Sequence, residues 1–460
     1  MISKAYVMPH PPLIVPQVGR GQEKKIQKTI DAFDEAAKRI VREAPQTVVI
    51  ITPHSVMYGD YIHISPGIGA SGSFGCFGAK DVSIYKDYDT DFSSELAICA
   101  GEADINAGMM GERDATLDHA TLVPLYFINK YTQDYRIVRI SVSGLSYRAH
   151  YELGKCIAQS AQNLNRKTVV VASGDLSHKL TEDGPYGYAE QGPAFDAQLT
   201  DALKQADFLK LMSFDESFCE AAAECGLRSF VMMAGALDGK SLDTDFMSYE
   251  GPFGVGYAVC EYSVSGDDEN RRFGKQYAAQ QTQKIASIQG DEDEFVKLAR
   301  LSLETYVKTR EYVDVPKGLA PELTHRKAGV FVSLKMHGRL RGCIGTTSPA
   351  KDSIAQEIIA NAVSSGTGDP RFDPVSADEL ADLVYSVDVL GEAEPISSMD
   401  ELDEKRYGVI VKKGFRSGLL LPNLDGVDTP DEQVKIALQK AGIDARSKYE
   451  MQRFEVVRHK

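Results

Sequence analysis

The sequence has no tryptophan, no CxxC pair, no run of 18 apolar residues and no run of lysine and arginine. Each absence removes a class of protein. The seven cysteines, spread from Cys76 to Cys343, lack the paired spacing of a zinc ribbon or a disulfide framework, and a reducing compartment suits them better. Without a long apolar run, no membrane span is expected. The N-terminus MISKAYVMPHPPLIVPQV has no charged stretch leading into an apolar one, and prolines interrupt it, so it does not read as a secretory leader. The expected location is the cytoplasm. Asp and Glu number 66 against 51 Lys and Arg, a net charge of −15 with no basic run to offset it. Neither nucleic acid nor an anionic membrane is therefore an expected partner. The missing tryptophan says nothing about substrate.

What is present is length and a composition shift. A chain of 460 residues exceeds one ordinary domain. After the apolar, glycine-rich stretch 252–264 the composition turns polar in SGDDENRRFGKQYAAQQTQKIASIQGDEDE. This reads as a linker over 266–290, partly helical, between a domain at 1–265 and a second at 291–460. No internal repeat relates the two sides.

The first domain alternates strand and helix patterns. Ala5–Met8 is a short apolar run, Thr47–Ile51 and Thr168–Ala172 read as buried strands, and Arg136–Val142 as another. Ile26, Ile30, Phe33, Ala37 and Ile40 recur at helical spacing, Leu122–Phe127 reads as helical, and Tyr151–Leu164 as an amphipathic helix. The pattern predicts an α/β domain with a mainly parallel or mixed sheet flanked by helices. The second domain reads as α+β: helices over 294–308, 353–364 and 430–441, strands over 328–336, 340–344, 383–390 and 408–412, and a turn at His337-Gly338.

Six of the nine histidines precede the linker: His10, His54, His63, His119, His150 and His178. Three share one context. His10 follows the first strand in MPHPP, His54 the second in TPHS, and His178 the strand Thr168–Ala172 in SGDLSH. In open α/β sheets ligands bind beyond the carboxyl ends of strands, and adjacent prolines hold the loops of His10 and His54. His63 alternates with Ile62 and Ile64 and belongs on a strand face; His150 caps or flanks a helix.

These motifs together with DHATLVPL, in this order, make residues 1–265 resemble the class III extradiol dioxygenase catalytic-subunit superfamily, which also contains the Memo-like proteins. The resemblance implies a non-haem Fe(II) held by His10, His54 and a glutamate, with a catechol-like aromatic as substrate. The matching glutamate is placed at Glu224. Glu216, Glu220 and Glu224 recur every four residues on one helix face, and Glu224 is favoured because it lies beside Gly226, read as the helix end. Cys225 is adjacent, so Glu220 and Cys225 stay open as third ligands. A cysteine there would favour Zn(II) or Cu. By the same resemblance His178 is an acid/base and His119 binds or deprotonates the substrate. The expected function is that of a metal-dependent oxidoreductase of the extradiol type. The alternative is a Memo-like metal-binding protein or a non-oxygenase metal-dependent enzyme.

The second domain carries FVSLKMHGRLRGCIGTTSP, DPRF and YGVIVKKGFRSGLLLP, which resemble the AMMECR1 domain over roughly 291–460. Such domains are grouped with Memo-like and radical SAM proteins, so the resemblance implies a radical SAM protein as a partner. The absence of a CxxxCxxC motif keeps the cluster off this chain. A homo-oligomer is compatible with the sequence. In the run Arg339–Gly345 two glycines permit close backbone approach, and the arginines are suited to an anion. Arg341 and Cys343 are therefore a candidate ligand or nucleophile site; the competing reading is a tight turn with a buried structural cysteine.

Overall fold

The β-branched runs of the first half pair side by side in the computed structural model, which describes every residue except Asp114, Ala115, His337 and Asp425. Strands β1 (Ile2–Met8), β2 (Thr47–Thr52), β3 (Arg136–Ser141) and β4 (Thr168–Ser173) are mutually parallel. Two antiparallel strands, β5 (Lys240–Glu250) and β6 (Tyr257–Asp267), extend the sheet to the order β3-β2-β4-β1-β6-β5. Every residue of β2 and β4 is buried, as continuous apolar strands covered on both faces require.

Helices α1 (Gln27–Glu43) and α3 (His119–Ile128) cover one face of this sheet, and α2 (Thr90–Glu102), α4 (Tyr147–Asn163), α5 (Gln191–Gln205) and α6 (Leu227–Ala236) the other. The architecture is the α/β mixed sheet the patterning predicts. Helices α4 and α6 meet through glycines: a Cβ on Gly154 would lie 2.0 Å from the Met232 carbonyl oxygen, and one on Gly235 1.9 Å from that of Tyr151. No side chain fits between these backbones.

The chain divides into two compact units, Met1–Ala279 and Gln280–Lys460. The division falls within a helix, α7 (Phe273–Asp291), in the stretch read as a polar linker. Its alanines, glutamines and lysines are strong helix formers, and Phe273 and Tyr277 pack on the core of the first unit.

The second unit is built on one antiparallel sheet. Its strands are β7 (Val330–Met336), β8 (Arg339–Gly345), β9 (Leu383–Leu390), β10 (Glu394–Ile396), β11 (Tyr407–Lys413), β12 (Arg416–Leu420) and β13 (Glu450–His459). They are ordered β8-β7-β9-β13-β11-β12, with β10 also paired to β13. Helices α8 (Glu294–Thr309) and α9 (Ile354–Thr367) pack on one face through Leu298, Leu303, Ile358, Val332 and Leu334. Helix α10 (Pro430–Ala441) packs on β11 and β12 through Val434, Ala437 and Leu438. This is the α+β arrangement expected. In the turn between β7 and β8, His337 lies outside the described residues, and Gly338 adopts φ of 82°. Among the described residues no helix is long and apolar enough to cross a membrane.

Candidate metal centre

Three neighbouring parallel strands, β2, β4 and β1, leave the sheet at the same edge. The loops after them carry His54, the segment Asp175–His178, and His10. The loops are tied together by backbone contacts. The His10 N–H donates to Asp175 Oδ1 at 2.8 Å. A Cβ on Gly174 would lie 2.2 Å from the Cα of Gly226, so the loop after β4 lies directly against the start of α6. That close approach sets Cys225 beside His10.

A fourth element enters through a helix cap. Asp118 accepts the Thr121 N–H at 3.0 Å as the N-cap of α3 and also accepts the Thr52 hydroxyl at 2.8 Å. The buried Arg139 guanidinium lies 3.6 Å from the same carboxylate. The start of α3 is thereby fastened to the end of β2, and His119, its first residue, lies against His54 with ring centroids 4.5 Å apart.

The result is a cluster of His10, His54 and His119 in which one ring nitrogen from each lies within 4.8 Å of the others. His10 is 1% exposed. Its Nδ1 is 3.1 Å from Ser173 Oγ, and Ser173 Oγ donates at 2.7 Å to the Ala120 carbonyl. The serine proton is committed, so Nδ1 of His10 is the donor in that pair and Nε2 carries the lone pair. This Nε2 faces His54 Nε2 at 3.1 Å and Cys225 Sγ at 3.6 Å. Two facing imidazole nitrogens require a proton or a cation between them.

Burial, followed by the neighbouring imidazoles, holds His10 well below its ordinary pKa, and burial with His119 brings His54 down to about 4. Burial also lowers His119 and His178. At neutral pH the rings are uncharged with lone pairs available, the state that binds a metal ion. Three imidazoles with a nearby thiol are a donor set for a divalent transition metal, and the Ser173 contact to His10 is the outer hydrogen bond that fixes the tautomer of a ligating histidine.

The structure separates the carboxylate candidates. The helix Glu216–Ala222 ends with Ala223 in the left-handed region at φ 52°, so Glu224 does not continue the face shared by Glu216 and Glu220. Gly226, read as a helix end, is instead the N-cap of α6. Glu224 Oε2 accepts the Leu227 N–H at 2.7 Å in that first turn, and burial raises its pKa to about 7. Glu220 is exposed. The residue at this turn that reaches His10 is Cys225, whose thiol is pushed well up by burial. His119, expected to work on substrate, stands with His10 and His54.

His178 sits apart from the three. Its Nδ1 donates to the Ala223 carbonyl, which leaves Nε2 as the acceptor, 4.0 Å from Asp175 Oδ2. The same carboxylate oxygen is 3.8 Å from His10 Nε2, and burial raises Asp175 to about 7. Asp175 went unassigned in the sequence although it lies inside SGDLSH; the signal was an acidic residue between a strand end and a histidine. His63 lies on the two-residue strand Ile62–His63, and His150 lies in α4, its Nε2 accepting the Ser143 N–H at 3.1 Å.

In the second unit, Arg341 is the extra residue of a bulge: Gly342 pairs with Leu334, and Leu340 with Lys335. Its guanidinium is held by Glu379 at 2.7 and 2.9 Å and by the Asp373 carbonyl at 2.9 Å. Arg341, read as suited to an anion, directs these donors to an internal carboxylate and a backbone carbonyl. Cys343 faces the other way and accepts the Ser333 hydroxyl at 3.2 Å.

Residues 4–260 match the family model described as the catalytic LigB subunit of aromatic ring-opening dioxygenase. The chain belongs to this family. Residues 296–459 match AMMECR1, so the chain joins a LigB-type unit to an AMMECR1 unit. Protein CA_C1420 of Clostridium acetobutylicum is 44% identical across 99% of this chain and 98% of its own length. A Thermotoga maritima protein is 49% identical over 37% of this chain and 98% of its own. Of solved structures, uncharacterized protein PH0010 of Pyrococcus horikoshii shares 33% identity over 36% of this chain and 88% of that one, with a TM-score of 0.34. Uncharacterized protein JW3007 of Escherichia coli K12 shares 16% over 56% of this chain and 99% of that one, with a TM-score of 0.37. Within the LigB-type unit, the strand-end cluster is where a resident metal would be held.

Proposed function

We propose that the LigB-type unit is a metal-dependent oxidoreductase acting on small catechol-like aromatics, with the ion held by His10, His54 and His119. The observation that carries this reading is the convergence of those three ring nitrogens within 4.8 Å of one another. Fe(II) bound there supplies Lewis acidity and a redox couple. The protein supplies proton handling and orientation. His178, with Nδ1 tied to the Ala223 carbonyl, presents an unprotonated Nε2 that accepts a proton from a substrate hydroxyl. Asp175, whose carboxyl burial raises to about 7, lies 4.0 Å from that nitrogen. Phe77, 5.5 Å from the His119 ring, and Tyr186, 5.2 Å from the His178 ring, offer aromatic faces to a flat substrate.

The test is anaerobic purification with metal analysis, then exposure to catechols in air while a yellow ring-opened product is followed. The reading expects bound iron and product from at least one catechol. Iron-loaded protein inert toward a panel of catechols would contradict it.

One observation favours a second reading. Cys225 Sγ lies 3.6 Å from His10 Nε2 while the Glu224 carboxylate turns to cap α6. A set of three histidines and a thiol suits zinc or copper better than the two-histidine, one-carboxylate set of oxygen-using iron. Zinc or copper as the only metal retained would select a non-oxygenase or Memo-like site.

A further inference from the structure

The second unit contains a cavity of about 840 Å³, a size that accommodates a small organic ligand. Its floor is the face of β7, β8 and β9 turned away from α8 and α9. Along β7, Val332 and Leu334 enter the core, while Phe331, Ser333 and Lys335 alternate to the cavity side. The opposite wall comes from the end of β12, the segment after it, and Lys440 of α10.

Three properties of the lining agree. The first is an apolar surface left half-covered: Phe331, Val384, Leu419, Leu421 and Leu424 all line the space. The second is a polar row across three strands. Cys343 pairs with Ser333, and Ser333 with Ser386, so a thiol and two hydroxyls lie side by side. The third is charge. Five basic residues line the cavity (Lys335, Arg371, Lys440, Arg458 and Lys460) against Asp291 and Asp388. Arg458 is held by Asp388 and Arg371 by Asp369, but Lys335, Lys440 and Lys460 make no ion pair among the described residues. This is a local reversal in a chain of net charge −15.

We propose that this cavity binds a small molecule with an apolar body and one anionic group, a carboxylate or a phosphate. The body lies on Phe331, Val384 and Leu421, and the anion is held by the unpaired lysines. The hydroxyls of Ser333 and Ser386 are placed to orient polar atoms on the body. The site is independent of the metal cluster and does not rest on the activity proposed for it.

The test uses the full chain and the fluorescent anion anilinonaphthalene sulfonate, with uncharged phenylnaphthylamine as its neutral counterpart. The anion is expected to bind saturably at one site per chain. The double variant Lys335→Glu, Lys440→Glu alters two exposed side chains and leaves the core intact. It should weaken the anion by about tenfold or more and the neutral probe by less than about twofold. Saturating anion should slow iodoacetamide alkylation of Cys343 by about fivefold or more, since the thiol lies on the cavity floor. Decanoate and decyl phosphate are then used as competitors, and the one displacing the probe at lower concentration identifies the head group. Unchanged anion affinity in the double variant, equal loss of both probes, a Cys343 alkylation rate indifferent to the anion, or displacement by neither competitor would each overturn the proposal.

Discussion

The two units gather functional side chains by opposite means. In the first, parallel strands end at one edge, so residues as far apart as His10 and His178 reach one place because β1, β2 and β4 all point there. In the second, strands alternate in direction and no edge collects their ends. Side chains instead line up across strands on one face, as Cys343, Ser333 and Ser386 do. A parallel sheet yields a tight cluster of a few groups, suited to an ion. An antiparallel face yields a broad, half-apolar surface, suited to a molecule. The first site is dominated by imidazoles held uncharged by burial, the second by lysines that make no ion pair among the described residues.

The largest expected effect lies in the first unit. His178→Gln should lower turnover of a catechol substrate by roughly 10²–10⁴-fold with bound metal unchanged, because the ring holds a proton position and is not among the clustered nitrogens. Loss of metal in that variant would make His178 a ligand and break the distinction between cluster and acid/base.

Metal loading should sharpen the contrast between units. At about 100 times its dissociation constant, an ion stabilises the fold it binds by ~2.7 kcal/mol. Amide exchange in β1, β2, β4 and α3 should slow accordingly, while exchange in β7, β8 and β9 stays the same. Equal slowing in both units would contradict separate sites.

A smaller effect separates neighbours in sequence. Cys225→Ser should weaken metal binding by about tenfold, whereas Glu224→Gln should change it by less than about threefold, since one oxygen of that carboxylate caps α6. The reverse order, measured by competition with a chromophoric chelator, would restore the glutamate as ligand.

The smallest effect is a pH slope. Asp196 accepts the Ser177 N–H at 2.8 Å and the Tyr249 hydroxyl at 2.6 Å, and burial raises it to about 6 from 3.8. A carboxyl whose folded pKa is raised keeps its proton longer when folded, so its contribution to stability is greatest below about pH 4 and is lost as pH rises to about 6. Asp196→Asn lacks that loss. Its melting temperature relative to the wild type should therefore climb between pH 4 and 6; a flat difference would contradict the raised pKa.

Much of the first site was legible because its signals are local. A histidine directly after a β-branched run, beside proline or in SGDLSH, marks a strand end, and parallel strand ends converge. The turn after Ala222 was not legible. The four-residue recurrence of Glu216, Glu220 and Glu224 imitates a helix face, and only the left-handed Ala223 shows that the helix has stopped. The polar stretch 266–290 reads as a partly helical linker, and the structure carries most of it as one helix, Phe273–Asp291, with Phe273 and Tyr277 packed on the first unit. The second cavity was hidden for a different reason. Ser333, Ser386 and Lys440 become neighbours only through sheet register and the packing of α10, and the bulge at Arg341 reverses which side its neighbours face.

Metal stoichiometry in the single variants His10→Ala, His54→Ala and His119→Ala, each refolded or purified with the same divalent ion under anaerobic conditions, tests the central claim most directly. The account predicts about one ion per chain in the wild type and a fall in affinity of at least about 100-fold in all three variants, with His178→Ala retaining its ion. Full occupancy in His119→Ala beside empty His10→Ala and His54→Ala would contradict the three-histidine centre and return the third position to Glu224 or Cys225.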